Sequence, residues 1–143
     1  MDNTNIVSAL MSAVESGDYE TASSYMSEDF TFSGPVPEPV SGAAWLDLHK
    51  RLKQALPDFS FNTSDIEETE SGVKMTVSMT GTHTGDLDLT HLGIPIIKAT
   101  EKSLVMPKEH PVMTVHEGEV ISLHVADVGA DGGVRGIVKQ LGE

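Results

Sequence analysis

Apolar residues near the start of the chain recur at helical spacing. They lie three or four positions apart and therefore share one helix face: Ile6, Val7, Leu10, Met11 and Val14. Residues 2–4 offer capping side chains for this helix, and Gly17 can end it. Asp18 can then cap a second helix. The pattern predicts a helical hairpin whose joint is Gly17–Asp18.

A third helix is predicted after one early strand. Phe30 and Phe32 alternate with polar residues, which favours a short strand that ends at Gly34. Ser41 is a suitable N-cap for the helix, and Pro57 ends it. Between them the apolar positions form a clear stripe: Trp45, Leu48, Leu52 and Leu56.

The second half of the chain shows the period-two pattern of strands. The clearest alternation carries its apolar side chains at Val73, Met75, Val77 and Met79. Residues 96–106 form a long extended candidate, and residues 112–116 and 120–127 flank a hairpin turn at Glu117–Gly118. Glycines crowd residues 129–136, and residues 137–141 are predicted as a short final strand. This order predicts one α+β domain over residues 1–143, with three N-terminal helices packed on a strongly curved, mostly antiparallel sheet. Such a sheet leaves a cone with a mouth, where ligands bind.

Composition narrows the possible functions. The 143 residues include 9 Lys and Arg against 22 Asp and Glu, and the net charge of −13 disfavours nucleic-acid backbones and anionic membranes. There is no cysteine, which excludes disulfides and thiolate chemistry. The N-terminus lacks a signal-peptide pattern, so we expect a cytoplasmic protein.

His83 is the first residue that could carry chemistry. If the strand through Val77 continues, His83 shares its apolar face, and Gly81 leaves room beside the imidazole. The pKa of an ordinary histidine lies near neutrality, which suits proton transfer. The alternative is a structural histidine that bonds to the backbone at a strand end.

A second candidate lies near the end of the sheet. Asp127 shares a strand face with Leu123 and Val125, and desolvation there would raise the pKa of its carboxyl. The alternative is an aspartate that turns to solvent. His124 lies on the opposite face, but a shift of one residue in the strand would exchange the two.

Five further residues are predicted to shape a ligand pocket. Trp45 and His49 lie on the third helix, Phe59 and Met79 on strands, and Glu101 alternates with apolar neighbours. No metal-ligand motif, dinucleotide loop or phosphate loop is present, so we expect no metal and no cofactor.

The chain also resembles a known family through short segments spread over its length. They are Ser16-Gly17-Asp18-Tyr19, residues 27–34 (SEDFTFSG), Leu56-Pro57-Asp58-Phe59, residues 81–85 (GTHTG), residues 94–102 (IPIIKATEK) and Gln140-Leu141-Gly142. In order and spacing they resemble the SnoaL-like polyketide-cyclase branch of the NTF2-like superfamily. The resemblance implies an NTF2-like, cystatin-like cone with an internal pocket, frequent homodimers through the sheet, and cofactor-free acid–base chemistry on hydrophobic carbonyl compounds. Asp127 falls close to the family's catalytic aspartate, whereas the family's histidine has no clear counterpart and Glu101 replaces a usual glycine.

Two hypotheses follow. In the first, the protein is an enzyme in which Asp127 acts as acid or base, with His83 or His124 as its partner. In the second, it is a binding module whose pocket holds a small apolar ligand without chemistry. In both, the partner is a small hydrophobic molecule, and the resemblance implies a homodimer through the sheet.

Overall fold

The computed structural model describes residues 2–34, 38–125 and 132–142. Its helices are α1 (Asn3–Ser16), α2 (Tyr19–Ser24), α3 (Gly42–Ala55) and α4 (Gly133–Gly142). Its strands are β1 (Met26–Ser33), β2 (Val40–Ser41), β3 (Ser64–Thr69), β4 (Gly72–Thr76), β5 (Thr80–Thr82), β6 (Ser103–Val105), β7 (Val112–His116) and β8 (Glu119–His124).

The three predicted N-terminal helices are confirmed, and their ends follow from local capping. The Asp2 side chain accepts a hydrogen bond from the Asn5 backbone N–H at the start of α1, and Gly17 ends that helix in the left-handed conformation. Asp18 and Ser41 cap α2 and α3 in the same way. Short-range hydrogen bonds therefore determine where each helix begins.

The strands form a six-stranded sheet and a separate pair. The sheet order is β2-β1-β8-β7-β4-β3, and β5 pairs with β6. β1 runs parallel to β8, while the other neighbours are antiparallel. The predicted hairpin at Glu117–Gly118 is confirmed, and both residues have positive φ, of 49° and 82°. The architecture is the predicted α+β fold.

Two predicted strands are interrupted. The alternation through Met79 is divided between β4 and β5, with Val77 joined to Glu109 by a pair of backbone hydrogen bonds of 2.9 and 2.8 Å. Its inward side chains remain buried in β4 and through the break, from Val73 to Met79. In residues 96–106, the strand structure is limited to β6 and an isolated bridge at Ile97.

The prediction of a final strand at residues 137–141 is wrong, because this segment lies in α4. The fold therefore has a fourth helix among the described residues. Its apolar side chains, Val134, Ile137, Val138 and Leu141, are spaced three, one and three positions apart. That spacing forms a helical stripe, and Ile137 and Leu141 are buried. Since helix packing offsets the cost of glycine, the glycines of this segment did not prevent a helix.

Gln140 holds α4 against the outer edge of β6. Its side-chain amide accepts from the Val105 N–H at 3.2 Å and donates to the Val105 carbonyl at 2.8 Å. The amide thus occupies the hydrogen-bonding position that a neighbouring strand would take. The same nitrogen lies 3.4 Å from the Met106 sulfur.

We predict that Gln140→Ala lowers the free energy of unfolding by about 1–2 kcal/mol, because two hydrogen bonds between α4 and β6 are lost. Arg135→Ala is the matched control, since Arg135 is an exposed residue of the same helix. Urea unfolding measures both variants. Equal stability of the two variants would contradict the structural role given to Gln140.

Candidate functional site

A cavity of about 70 Å³ lies between the helices and the sheet. Its wall receives side chains from α1, α3 and α4 and from several strands. Most of the wall is apolar, with Phe32, Trp45 and Phe61 as its aromatic members and Leu48, Leu52, Met79, Met113 and Leu123 among the others. Among the described residues that line it, His49 and Glu109 carry the ionisable groups.

His49 is placed in the wall by the third helix. It follows Trp45 by four residues, and its side chain is 8% exposed. Its ring lies against three aromatic rings, with centroid distances of 4.8 Å to Trp45, 5.3 Å to Phe61 and 6.0 Å to Phe59. The Nδ1 atom has no hydrogen-bond partner among the described residues.

These buried, aromatic surroundings keep the imidazole of His49 neutral. Burial lowers the pKa of His49 to about 4, because the charged imidazolium would lose its hydration. A neutral imidazole can still donate or accept a hydrogen bond at a ligand oxygen. The aromatic contacts also fix the orientation of the ring.

Glu109 faces the same cavity from the sheet side and is 7% exposed. Its backbone pairs with Val77, which fixes its position beside the interrupted strand. Burial raises the pKa of the Glu109 carboxyl, and a hydrogen bond from the Gly133 backbone N–H, at the start of α4, partly opposes this shift. The Oε1 atom has no partner among the described residues. A carboxylate in such a site is a stronger base than one in water.

The two groups together can support proton transfer. An apolar wall keeps water away from both, and each has one polar atom without a protein partner. A buried carboxylate can remove a proton from carbon next to a carbonyl group. A neutral imidazole can stabilise the oxygen that becomes negative.

Three predicted pocket residues, Trp45, His49 and Met79, do line the cavity. Phe59 lies one layer behind it, where it supports the His49 ring. Glu101 is exposed and lies outside this wall, so the expectation that apolar neighbours surround its carboxylate is wrong. Its φ of 63° shows that the backbone turns there, which breaks the alternation used in the prediction.

His83 is buried as predicted, with 0% exposure, but it does not line the described cavity wall. Its Nδ1 atom accepts from the Thr100 backbone N–H at 3.2 Å and lies 2.8 Å from the Thr100 hydroxyl oxygen. The Leu56 side chain occupies the space beside Gly81, where an added Cβ would lie 3.1 Å from it. These contacts match the alternative of a histidine held by the backbone, and its Nε2 atom is buried without a partner among the described residues.

The other two predicted catalytic residues have different outcomes. His124 is exposed, and its Nδ1 atom lies 2.9 Å from the Ser33 hydroxyl oxygen. Leu123 and Val125 line the cavity, as the predicted strand face requires. Asp127 lies outside the described residues, and its role stays a prediction.

The sequence reasoning missed Glu109, although a signal for it was present. Glu109, Pro111 and Met113 alternate with polar or half-buried residues, and all three are buried. Extending the alternation of β7 backwards through Pro111 would have placed Glu109 on the inner face. A proline normally argues against a strand, and the prediction therefore began the strand at Val112.

Comparison with known proteins identifies the family. A family model for SnoaL-like polyketide cyclases matches residues 4–121. The chain belongs to the SnoaL-like polyketide cyclase family. The family match covers β1 to β7 and the Glu109 segment, but it stops before α4. No curated protein matches the sequence significantly.

Solved structures share the fold at low sequence identity. IdmH, a proposed polyketide cyclase from Streptomyces antibioticus, superposes with a TM-score of 0.73 at 20% identity over 100% of each chain. A proposed SnoaL-like polyketide cyclase from Jannaschia sp. CCS1 has a TM-score of 0.73 at 14% identity, covering 97% of this chain and 90% of that one. A cystatin-fold protein from Novosphingobium aromaticivorans has a TM-score of 0.64 at 16% identity, covering 87% and 97%. The fold is thus NTF2-like, or cystatin-like.

Within the described ranges, no helix has both the length and the apolar character that a bilayer crossing requires. The predicted compartment and the predicted homodimer stay predictions.

The low pKa of His49 predicts a loss of stability in acid. The ordinary pKa of histidine is about 6.5, and the pKa of His49 in the folded chain is about 4. Between these two pH values, the unfolded chain binds a proton that the folded chain does not. The free energy of unfolding therefore falls as the pH falls through this range. His49→Phe removes the titration and keeps an aromatic ring among its neighbours. From pH 7 to pH 4, the stability of the wild type should fall by roughly 3 kcal/mol more than that of His49→Phe.

Urea unfolding of both proteins at the two pH values measures this difference. The raised pKa of Glu109 acts in the opposite direction, but it is present in both proteins and cancels in the comparison. Parallel pH dependences would show that His49 is protonated freely in the folded state.

Proposed function

We propose that the protein is a cofactor-independent acid–base enzyme that acts on a hydrophobic carbonyl compound. The observation that carries this proposal is the pair His49 and Glu109: both side chains line one apolar cavity, and each has a buried polar atom without a partner among the described residues. Membership in the SnoaL-like family supports it, as do the proposed polyketide cyclases among the structural neighbours.

In the proposed reaction, the Glu109 carboxylate removes a proton from the carbon next to the substrate carbonyl. The electron pair of that C–H bond forms an enolate, and neutral His49 donates a hydrogen bond from Nδ1 to its oxygen. Glu109 then returns the proton. In a β,γ-unsaturated ketone, Glu109 can return the proton to the γ-carbon, and the carbon–carbon double bond then moves into conjugation with the carbonyl. If the enolate carbon attacks a second carbonyl, a ring closes, and the proton goes to the new alkoxide.

The environment of each group suits this division of roles. Because burial raises the pKa of Glu109, its ionised form takes a proton more readily than an ordinary carboxylate does. Because burial lowers the pKa of His49, the imidazole remains a neutral donor near pH 7 and does not protonate Glu109. Neither role requires a metal or a redox group.

The test follows a proton in a small model ketone. The β,γ-unsaturated isomer of cyclohexenone is incubated with the protein in deuterium oxide, and NMR measures both deuterium exchange and the double-bond shift. Glu109→Gln should lower the protein-catalysed rate by about 10²–10⁴-fold, because glutamine cannot take the proton. The wild-type rate should rise with pH through a single ionisation above the ordinary carboxyl value, as the raised pKa of Glu109 requires.

Two matched variants make this test specific. Glu119→Gln changes an exposed glutamate of β8 and should keep the wild-type rate. Asp127→Asn tests the aspartate expected from the sequence. If Asp127→Asn loses the activity while Glu109→Gln keeps it, the base assigned here is wrong. If the wild type binds the ketone without any exchange, the protein is a binding module, and the enzyme proposal fails.

A further inference from the structure

The charge of the cavity wall restricts what can enter it. The described part of the wall contains no lysine or arginine, and His49 is neutral above about pH 4. The remaining ionisable group is the acid Glu109, in a chain of net charge −13. A ligand carboxylate or phosphate would therefore lose its hydration and gain no cationic partner.

A cationic ligand is also disfavoured, for a different reason. It could pair with Glu109, but burial has already raised the pKa of that carboxyl, so the site stabilises charge poorly. A buried ion pair rarely recovers the hydration energy that its two members lose. The wall thus favours an uncharged molecule.

The size of the cavity sets a second limit. About 70 Å³ is available, and one water requires roughly 10–15 Å³ of such space. The volume is therefore equivalent to about five to seven waters, which is on the scale of a single six-membered ring. The large side chains of its wall, such as Met79, Leu52 and Phe61, are buried, so a larger ring system would fit inside only by displacing packed groups.

The aromatic groups in the wall favour a flat ligand. Trp45 and Phe61 lie at 4.8 and 5.3 Å from the His49 ring, and all three line the cavity. A planar ring can pack against aromatic side chains of this kind while its oxygen accepts a hydrogen bond from the His49 ring. We infer that the natural ligand is an uncharged, single-ring carbonyl compound and not a fused polycyclic or an acid. This inference relies on the proposed function for the location of the site.

Binding of four probe ketones tests the ligand class without any reaction. The probes are acetophenone, para-acetylbenzoate, para-(aminomethyl)acetophenone and acetylnaphthalene, titrated near neutral pH with NMR detection. Acetophenone should bind at least tenfold more tightly than either charged analogue. It should also bind more tightly than acetylnaphthalene, although an open apolar groove would prefer the larger molecule.

Enlarging the cavity should reverse the size preference. Leu48→Ala shortens a half-buried side chain in the wall and keeps a good helix former in α3. It should bind acetylnaphthalene at least tenfold more tightly than the wild type does. Val134→Ala, in α4, is the second variant of this kind. Val105→Ala, at an exposed residue outside the wall, should keep the wild-type order.

Tighter binding of either charged probe, or of acetylnaphthalene by the wild type, would overturn the inference about the ligand. These results are separate from the test of catalysis. If the predicted binding order is found but no proton exchange occurs, the ligand class stands and the enzyme proposal fails. If exchange occurs but the charged probes bind as tightly as acetophenone, the enzyme proposal stands and the ligand class is wrong.

Discussion

Exclusion of water from the space between the helices and the sheet is the interaction on which this molecule depends. The burial of apolar side chains from every layer stabilises the fold. The same loss of hydration acts on the two polar groups at the cavity wall, and it shifts the pKa values of His49 and Glu109 towards their neutral forms. Stability and proposed reactivity thus have one physical origin, and a change that admits water would weaken both.

Local signals predicted most of the fold, and the errors have clear physical causes. The first three helices follow from capping side chains and apolar stripes within one segment, so the sequence alone reveals them. Within α4, residues 137–141 were predicted as a strand, because the preceding glycines outweighed the helical spacing of Val134, Ile137 and Leu141. The extent of β6 depends on contacts with β5 and with Gln140, and these distant partners leave no periodic pattern in residues 96–106.

The cavity residues that lie within a regular helix or strand pattern could be predicted from the sequence. The helical stripe placed Trp45 and His49 in the interior, and strand alternation placed Met79 and Leu123 there. Which buried histidine faces the cavity is a different question, since it depends on groups far away in the sequence. Each of the two buried histidines has one buried ring nitrogen without a partner among the described residues, but Thr100 holds the ring of His83 away from the cavity wall, whereas His49 lies in that wall among aromatic rings. The family resemblance points to an aspartate after the last strand, whereas Glu109 lies in an earlier segment between two prolines.

The amide of Gln140 has a consequence for how molecules of this protein meet one another. An unpaired strand edge can accept a strand from a neighbouring chain, which is a common route to aggregation. At Val105 the edge groups are already occupied by a side chain of the same molecule. The helix that supplies this amide also brings the Gly133 N–H to Glu109. The cover on this strand edge and one hydrogen bond to the buried acid therefore both depend on the docking of a single ten-residue helix.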